Sequence, residues 1–246
     1  MDTLIGSSPV DGPYPIWENN PYVGDIVNAD EIDPQIMVHL RAEQSNICQF
    51  GHIIENICLV YNLIPRAVKP SLFLTAREQS QALDLLAGSR RPVVGIHAGG
   101  TSSSPPGSLW FLDGWRELIS KLDEEVSFFQ IAKAGVDQKD LSIPAPDVSL
   151  RTSMALIWAC DIFVGFDSSP AHIATAFDRP TAVLWDVRQK SLIEDRHYVG
   201  FAPASMLRWS YPQNRNLMIL GEKDADLVDL CIEFVHKTVA SFKHQR

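Results

Sequence analysis

Four polar residues stand close together in the second half of the chain: Asp167, Ser168, Ser169 and His172. A carboxylate, two hydroxyls and an imidazole can together bind a diphosphate and a sugar, because they supply both donors and acceptors of hydrogen bonds. A simpler interpretation is that the two serines only cap a helix and that Asp167 closes a turn. The position of His172, one helical turn further along, favours a ligand site.

The segments around these residues predict the elements that position them. Residues 162–164 are a short apolar run, typical of a strand that is buried on both faces. Pro170 and the alanine-rich residues after it predict a short helix, with Ser168 or Ser169 as its N-cap, and residues 181–185 predict the next strand. Ligands bind beyond the carboxyl ends of the strands in an open parallel sheet, and a helix N-terminus there favours an anion. The pattern therefore predicts a phosphate-containing ligand at this edge.

A loop of small residues follows an earlier predicted strand. Residues 92–97 predict a buried strand, and residues 98–108 are rich in glycine, serine and proline. Glycines let backbone N–H groups approach a phosphate closely, so we expect Gly99, Gly100 and Thr101 to lie beneath the phosphates. A flexible surface connection is the alternative, since the same composition predicts one.

The order of residue types from 167 to 185 resembles a known signature. An acidic residue, a serine, a small residue, a proline, any residue and a histidine precede an alanine-rich helix, which ends in a proline and a new strand. This order is similar to the donor site of the heptosyltransferase-like glycosyltransferases of family 9. The resemblance implies the GT-B fold, in which two doubly wound domains face each other across a cleft.

That resemblance leads to a specific fold prediction. We expect an α/β protein that is GT-B-like. Residues 89–246 would form a doubly wound parallel-sheet C-terminal domain that binds the nucleotide sugar and ends in a helix packing back. Residues 1–88 would form a reduced α/β N-terminal domain on the acceptor side.

Two further donor-binding residues follow from the resemblance. In the family a basic residue shortly before a tryptophan meets the donor phosphates, and Ser108 occupies that position here. Arg116 and Arg151 are basic residues that could take its place. The family also has a glycine and an acidic residue after the next strand, the latter reaching the nucleoside, and Gly135 and Asp137 match them.

The N-terminal part of the chain departs from the family's pattern. An Asn-Pro segment that usually follows several βα units already stands at residues 20–21. Acceptor contacts and the proposed base come largely from the part before that segment in the family, so we assign no catalytic residue. We expect a shortened form, a subunit that a partner completes, or a member without catalysis.

Residues 50–89 carry local structural signals. Residues 50–63 predict a helix, with His52 at its polar rim, and residues 71–74 predict a short strand. Thr75 and Glu78 have the spacing of a capping box, which predicts the start of a second helix.

Composition and charge exclude some classes of protein. The net charge of −9, without a Lys/Arg cluster, argues against nucleic-acid binding. No apolar run approaches the roughly 18 residues of a membrane-spanning segment, and the first residues do not resemble a signal peptide. The four cysteines contain no C-x-x-C pair, and Cys160 and Cys231 lie in apolar surroundings, which indicates a reduced, cytoplasmic protein with both as core residues.

The sequence therefore predicts a glycosyltransferase of the hexosyl- or heptosyltransferase type. Its substrate would be a nucleotide sugar, with no other cofactor and no metal, because helix N-termini and polar side chains can neutralise the leaving diphosphate. The acceptor is an unidentified glycan, lipid-linked glycan or protein.

Two alternatives stay open. A sugar-nucleotide 2-epimerase shares the architecture, but that group carries a glycine after the serine and acidic residues in the next helix, where this chain has Pro170, Ala171 and His172. A non-catalytic scaffold or partner subunit is the second alternative, favoured by the shortened N-terminal region and by Ser108.

Overall fold

The computed structural model describes residues 16, 18–22, 51–60, 62–99, 109–132, 140–186, 206, 208–219 and 225–243. Its centre is one sheet of five parallel strands in the order β2-β1-β3-β4-β5. The strands are β1 (Val93–His97), β2 (Ser127–Gln130), β3 (Ile162–Phe166), β4 (Thr181–Asp186) and β5 (Arg215–Ile219). The predicted doubly wound parallel sheet is confirmed.

The described residues form six helices, and five of them cover the two faces of this sheet. They are α1 (Ile53–Val60), α2 (Ala76–Leu85), α3 (Leu109–Leu122), α4 (Leu150–Ala159), α5 (Ser169–Ala176) and α6 (Ala225–Lys243). Helices α3 and α6 pack together on one face, and α2, α4 and α5 pack on the other. The final helix, α6, belongs to the same layer as α3.

The two central strands are buried along their whole length, as their apolar sequences predict. Successive side chains point to opposite faces. Val93 and Phe163 pack in the core beneath α2, α4 and α5, whereas Val94 and Ile162 pack in the core beneath α3 and α6. The sheet therefore has a hydrophobic core on each side, and its polar groups concentrate at the strand ends.

Side-chain caps fix where two of the helices begin. The Thr75 hydroxyl accepts from the Glu78 amide, and the Glu78 carboxylate accepts from the Thr75 amide, so the predicted capping box is present. Ser149 caps α4 in a similar way by accepting from the Thr152 amide. Each cap satisfies a backbone donor that the helix itself leaves unpaired.

The described residues before 89 contain helices and irregular segments. The predicted strand at residues 71–74 is wrong, because this segment is irregular. Its apolar side chains Leu72 and Leu74 pack against the core beneath α2 and α4 instead of pairing with a strand. Helix α2 packs directly on α4. The domain boundary near residue 88 stays a prediction.

Two further sequence expectations concern core and membrane. Cys160 and Cys231 are buried, with exposed fractions of 0 % and 3 %, as predicted. Within the part of the chain that the structure describes, none of the helices has the length and apolar character required to traverse a bilayer.

Candidate functional site

The strand order places a crevice at the carboxyl ends of β1 and β3. From β1 the chain moves to β2 on one side and later to β3 on the other, so the loops after β1 and β3 diverge. Such a switch point is where open α/β sheets bind their ligands. His97, the last residue of β1, lies opposite Gly165 in β3, and the segment from Asp167 to His172 follows directly.

A hydrogen bond between His97 and Ser168 joins the two loops at this point. The Ser168 Oγ lies 3.0 Å from His97 Nδ1 and 2.9 Å from the Phe166 carbonyl oxygen. Both bonds are satisfied together when the hydroxyl donates to the carbonyl and Nδ1–H donates to Oγ. A Cβ at Gly165 would lie 3.1 Å from the His97 Cβ, so glycine is the residue that lets His97 sit here.

The first turn of α5 presents backbone donors to the crevice. Ser168 occupies the N-cap position, as predicted, but its side chain makes no capping bond because it is turned towards His97. In the described part of the chain, the amides of Ser168 and Ser169 have no hydrogen-bond partner. The Asp167 amide donates to the Leu184 carbonyl and so anchors this turn to β4. Unpaired N–H groups at a helix N-terminus favour a negatively charged ligand.

Asp167 and His172 face each other across this turn. The Asp167 Oδ1 and the His172 Nε2 lie 3.9 Å apart, too far for a direct hydrogen bond. Both side chains are about 30 % exposed, with fractions of 32 % and 29 %. A ligand hydroxyl placed between them can donate to the carboxylate and, when Nε2 carries a proton, accept from Nε2–H.

Tyr211 contacts the other nitrogen of the His172 ring. Its hydroxyl lies 2.9 Å from His172 Nδ1, and the two rings meet edge to face with their centroids 5.4 Å apart. Trp209 packs edge-on to the same imidazole at 6.1 Å. The sequence reasoning missed both aromatic residues, since no motif marks their segment.

Hydrogen bonds from neighbouring elements hold the Tyr211 segment in place. Asn216 donates to the Tyr211 carbonyl, and its own amide oxygen accepts from the Trp185 indole. Asn214 donates from its backbone to the same Tyr211 carbonyl and from its side chain to Thr175 on α5. The tyrosine is therefore fixed relative to both β4 and α5.

His52 approaches the site from the N-terminal part of the chain. It is only 4 % exposed, and its ring centroid lies 5.0 Å from that of Tyr211. Its Nδ1 accepts from the Ile54 amide at the start of α1, and its buried Nε2 has no hydrogen-bond partner among the residues that the structure describes. The predicted position of His52 at a polar rim is wrong, because it is enclosed against Tyr211.

Burial changes the protonation of the groups at the site. It raises the pKa of Asp167 to about 6 and lowers the pKa of His172 to about 4, an effect to which the charge of His52 adds. Burial, together with the Asp167 carboxylate, raises the pKa of Tyr211 to about 12. At pH 7 the imidazole of His172 and the phenol are therefore neutral, and Asp167 is mostly ionised.

The predicted site residues fall into two groups. The structure brings Asp167, Ser168, Ser169 and His172 together, and it places Gly99 at the same sheet edge, two residues beyond β1. The other predicted residues lie outside the described residues; they are Gly100, Thr101, Ser108, Gly135 and Asp137.

The two arginines considered as replacements for the family's basic residue have other partners. Arg151 forms a bidentate ion pair with Glu78, with N–O distances of 2.6 and 2.7 Å, and also donates to the Phe73 carbonyl. Arg116 lies 3.7 Å from Asp113 on the exposed side of α3. Arg151 is thus a structural residue.

In the described part of the chain, the residue types that bind metal ions do not gather at this site. Among the described residues, no three His, Cys, Asp or Glu side chains converge on a position for a metal ion. The sequence contains one Asp-x-Asp triplet at residues 224–226, where the described part begins with Ala225 at the start of α6.

Comparison with solved structures shows a shared fold. The chain is similar to the E. coli ADP-heptose lps heptosyltransferase II, with a TM-score of 0.55 and 17 % identity, over 84 % of this chain and 65 % of that one. It is also similar to a family 9 glycosyltransferase from Veillonella parvula DSM 2008, with a TM-score of 0.54 and 11 % identity, over 76 % and 59 % of the two chains. This chain therefore spans less than two thirds of the length of either structure.

A comparison with family sequences extends this result. No curated protein matches the chain. Residues 59–194, more than half of the chain, match the model of Glycosyltransferase family 9 (heptosyltransferase). This stretch contains β1 to β4, the His97–Ser168 bond and both Asp167 and His172. The predicted resemblance is confirmed, and the chain belongs to glycosyltransferase family 9.

Proposed function

We propose that this protein binds a nucleotide-activated sugar at the carboxyl ends of β1 and β3 and acts in transferring the glycosyl group to an acceptor. Membership of family 9 supports glycosyl transfer as the reaction class. The E. coli protein of similar fold is named for ADP-heptose, so an ADP-sugar is the first donor to test.

One observation carries this proposal. The first turn of α5 lies at the switch point of the sheet, and Asp167, Ser168 and His172 surround it. Within the described part of the chain, the Ser168 and Ser169 amides of this turn are unpaired. A donor diphosphate needs N–H groups that donate hydrogen bonds to its negatively charged oxygens, and its sugars need side chains that bind hydroxyls. The structure provides both kinds of group at one edge.

The proposed roles follow from the chemistry of each group. The Ser168 and Ser169 amides would bind the diphosphate, while Asp167 and His172 would bind a hydroxyl between them. Gly99 would allow close approach of backbone to the phosphates from the β1 side. We extend the same role to Gly100, Thr101 and Ser108, and assign Asp137 to the nucleoside, on the family resemblance alone.

Transfer at this site would proceed without a metal. The bond from the sugar to the diphosphate breaks in the reaction, and negative charge then grows on the leaving diphosphate. The N-terminal end of α5 carries about half a positive elementary charge, directed at the place where the diphosphate would lie. We assign no residue as the base that accepts the proton of the acceptor hydroxyl.

Calorimetric titration with ADP-, GDP-, UDP- and CDP-sugars tests this proposal. We expect micromolar binding of one donor, unchanged by EDTA. Asp167→Asn should weaken binding at least about tenfold, since hydrogen bonds to a charged group contribute about 1.5–3 kcal/mol. His172→Ala should abolish it.

A matched control lies at the other end of the same helix. Asp178 follows α5, is 69 % exposed and pairs with Lys69, so Asp178→Asn removes a carboxylate of the same type and should leave donor binding unchanged. No binding of any donor would overturn the proposal and favour a scaffold or partner subunit. A changed sugar ring, without an acceptor, would identify an epimerase instead.

A further inference from the structure

The hydroxyl of Tyr211 lies against the nitrogen of His172 that faces away from Asp167. His172 Nδ1 is 2.9 Å from this hydroxyl, while Nε2 is the atom 3.9 Å from the Asp167 carboxylate. A neutral imidazole carries its proton on one nitrogen only, and the partner of one nitrogen decides the state of the other. Tyr211 is therefore placed to determine whether Nε2, the nitrogen that faces the ligand, is a hydrogen-bond donor or an acceptor.

The direction of the hydrogen bond can be argued from the remaining partners. Tyr211 is 6 % exposed, and within the described residues its hydroxyl has no partner other than His172. If Nδ1–H donated to the phenol oxygen, the buried O–H would have no acceptor among the described residues, which is costly. If the phenol donates to Nδ1, its one proton is used and Nε2 carries the imidazole proton.

The Asp167 carboxylate favours the same arrangement. In the alternative tautomer the lone pair of Nε2 would face the Asp167 carboxylate at 3.9 Å, an unfavourable contact between two acceptors. With Nε2 protonated, an N–H group faces the carboxylate and whatever hydroxyl lies between them. Both contacts of the ring thus favour the same proton position, and the hydrogen bond with Tyr211 is the stronger of the two because it is direct.

We propose that Tyr211 is a positioning residue that holds His172 in the tautomer with Nδ1 as acceptor and Nε2–H as donor, aimed at a ligand oxygen beside Asp167. For that ligand the inference rests on the proposed function, in which the ligand is a nucleotide sugar. The ring of Tyr211 is itself held, because His52 packs on it at 5.0 Å and Asn216 binds its carbonyl.

The tautomer can be read directly by NMR on the ligand-free protein. Long-range ¹H–¹⁵N correlation separates protonated from bare imidazole nitrogens, and the His172→Gln variant identifies the His172 signals by their loss. We expect Nδ1 bare and Nε2 protonated in the wild-type chain. Tyr211→Phe keeps the ring and removes the hydroxyl, so it should shift His172 towards a mixture of both tautomers.

A tyrosine elsewhere in the chain provides the control. Tyr22 is 85 % exposed and meets Phe73, so Tyr22→Phe removes the same atom and should leave the His172 signals unchanged. A protonated Nδ1 in the wild-type protein would overturn the inference. So would a His172 tautomer that is the same with and without the Tyr211 hydroxyl.

Donor binding separates failure of this inference from failure of the proposed function. With the donor found by titration, Tyr211→Phe should weaken binding about tenfold, the usual size for loss of one well-placed hydrogen bond. If no donor binds the wild-type chain while the tautomer is as expected, the proposed function fails and the positioning role stands. If a donor binds with equal affinity to both forms, Tyr211 has no positioning role.

Discussion

Two partly buried polar clusters differ in whether their charged side chains pair with each other. Arg151 and Glu78 lie between α4 and α2 as a fully paired ion pair, and the Arg151 guanidinium holds the pKa of Glu78 at about 2. Asp167 and His172 lie near each other without pairing, and burial moves both pKa values towards the neutral forms. The first pair joins residues 73 positions apart, whereas the second lies within one turn and the helix after it. Among the described residues, the second pair leaves hydrogen-bonding capacity unused.

This difference separates a structural role from a ligand-binding one. Charges that hold elements together are stabilised by each other, so each satisfies its partner. Groups that are to bind a ligand must stay unpaired without it, and the folded chain is less stable for this reason. The incomplete bonding of Asp167 and His172 is therefore the pattern expected of a ligand-binding site.

The largest effect is expected from breaking the paired cluster. Arg151→Met keeps the aliphatic part of the side chain but leaves the Glu78 carboxylate without its partner, which should lower the free energy of unfolding by about 3 kcal/mol at pH 7. The native pKa of Glu78 is depressed, so the pair contributes fully above pH 4.5 and is lost as the pH falls towards 2. The difference between the two proteins should therefore shrink over that range in urea titrations.

An exposed ion pair provides the control for that measurement. Lys237 and Glu233 pair on the surface of α6, where 75 % and 51 % of their side chains are exposed. Lys237→Met should leave the unfolding midpoint unchanged, because water and salt screen such pairs. If Lys237→Met lowered the free energy of unfolding as much as Arg151→Met does, the Arg151–Glu78 pair would contribute no more to stability than an exposed ion pair.

A smaller loss of stability is expected from a substitution at Gly165, which lies beneath His97 and Ser168. In Gly165→Ala the new Cβ would lie 2.9 Å from the Phe163 ring, which must move, and would crowd His97, whose carbonyl oxygen lies at 3.3 Å. We expect about 2 kcal/mol of destabilisation, as for other overpacked core sites. Gly88→Ala, with no atom within 4 Å of the new Cβ, should be neutral or slightly stabilising in the same urea titration. Equal stability of the two variants would contradict the close approach of β1 and β3.

The smallest expected change is a gain in stability, opposite to the losses predicted above. Asp167→Asn removes a carboxylate whose pKa is raised by burial, so it should stabilise the protein at pH 8 by about 1 kcal/mol, after allowance for its partial exposure. The native state binds the proton more tightly than the unfolded state, so the gain should fade as the pH drops from about 6 to below 3.8. Thermal unfolding at several pH values measures this. A loss of stability at pH 8 would mean that Asp167 has a structural role.

The sequence predicted those parts of the site that lie close together along the chain. Strand β3, the turn after it and α5 are contiguous, and a strand buried on both faces appears as an apolar run, so Asp167 and His172 could be placed on the correct edge. The predicted strand at 71–74 failed because an apolar run indicates burial but does not specify the backbone conformation that achieves it.

Long-range contacts could not be predicted from the chain. Tyr211 lies 39 positions from His172, and His52 joins it from the opposite end of the sequence. No motif marks Tyr211, and the helical pattern around His52 does not show what the histidine packs against. Their proximity results from the packing of distant segments. Only the pairing of His97 with Ser168 had a usable signal, because His97 ends one strand and Ser168 follows another, and both strands were predicted to be buried and parallel.

The placement of β1 and β3 inside the sheet has a consequence for hydrogen exchange. Each of these strands is hydrogen-bonded on both sides and buried on both faces, so their amide hydrogens should exchange with solvent only when the whole protein unfolds. The segment that carries Tyr211 lies next to the edge strand β5 and should exchange through smaller, more frequent openings. A ligand at this site would therefore contact β1 and β3, which stay closed while the protein is folded. On its other side it would contact the Tyr211 segment, which opens many times in the same period.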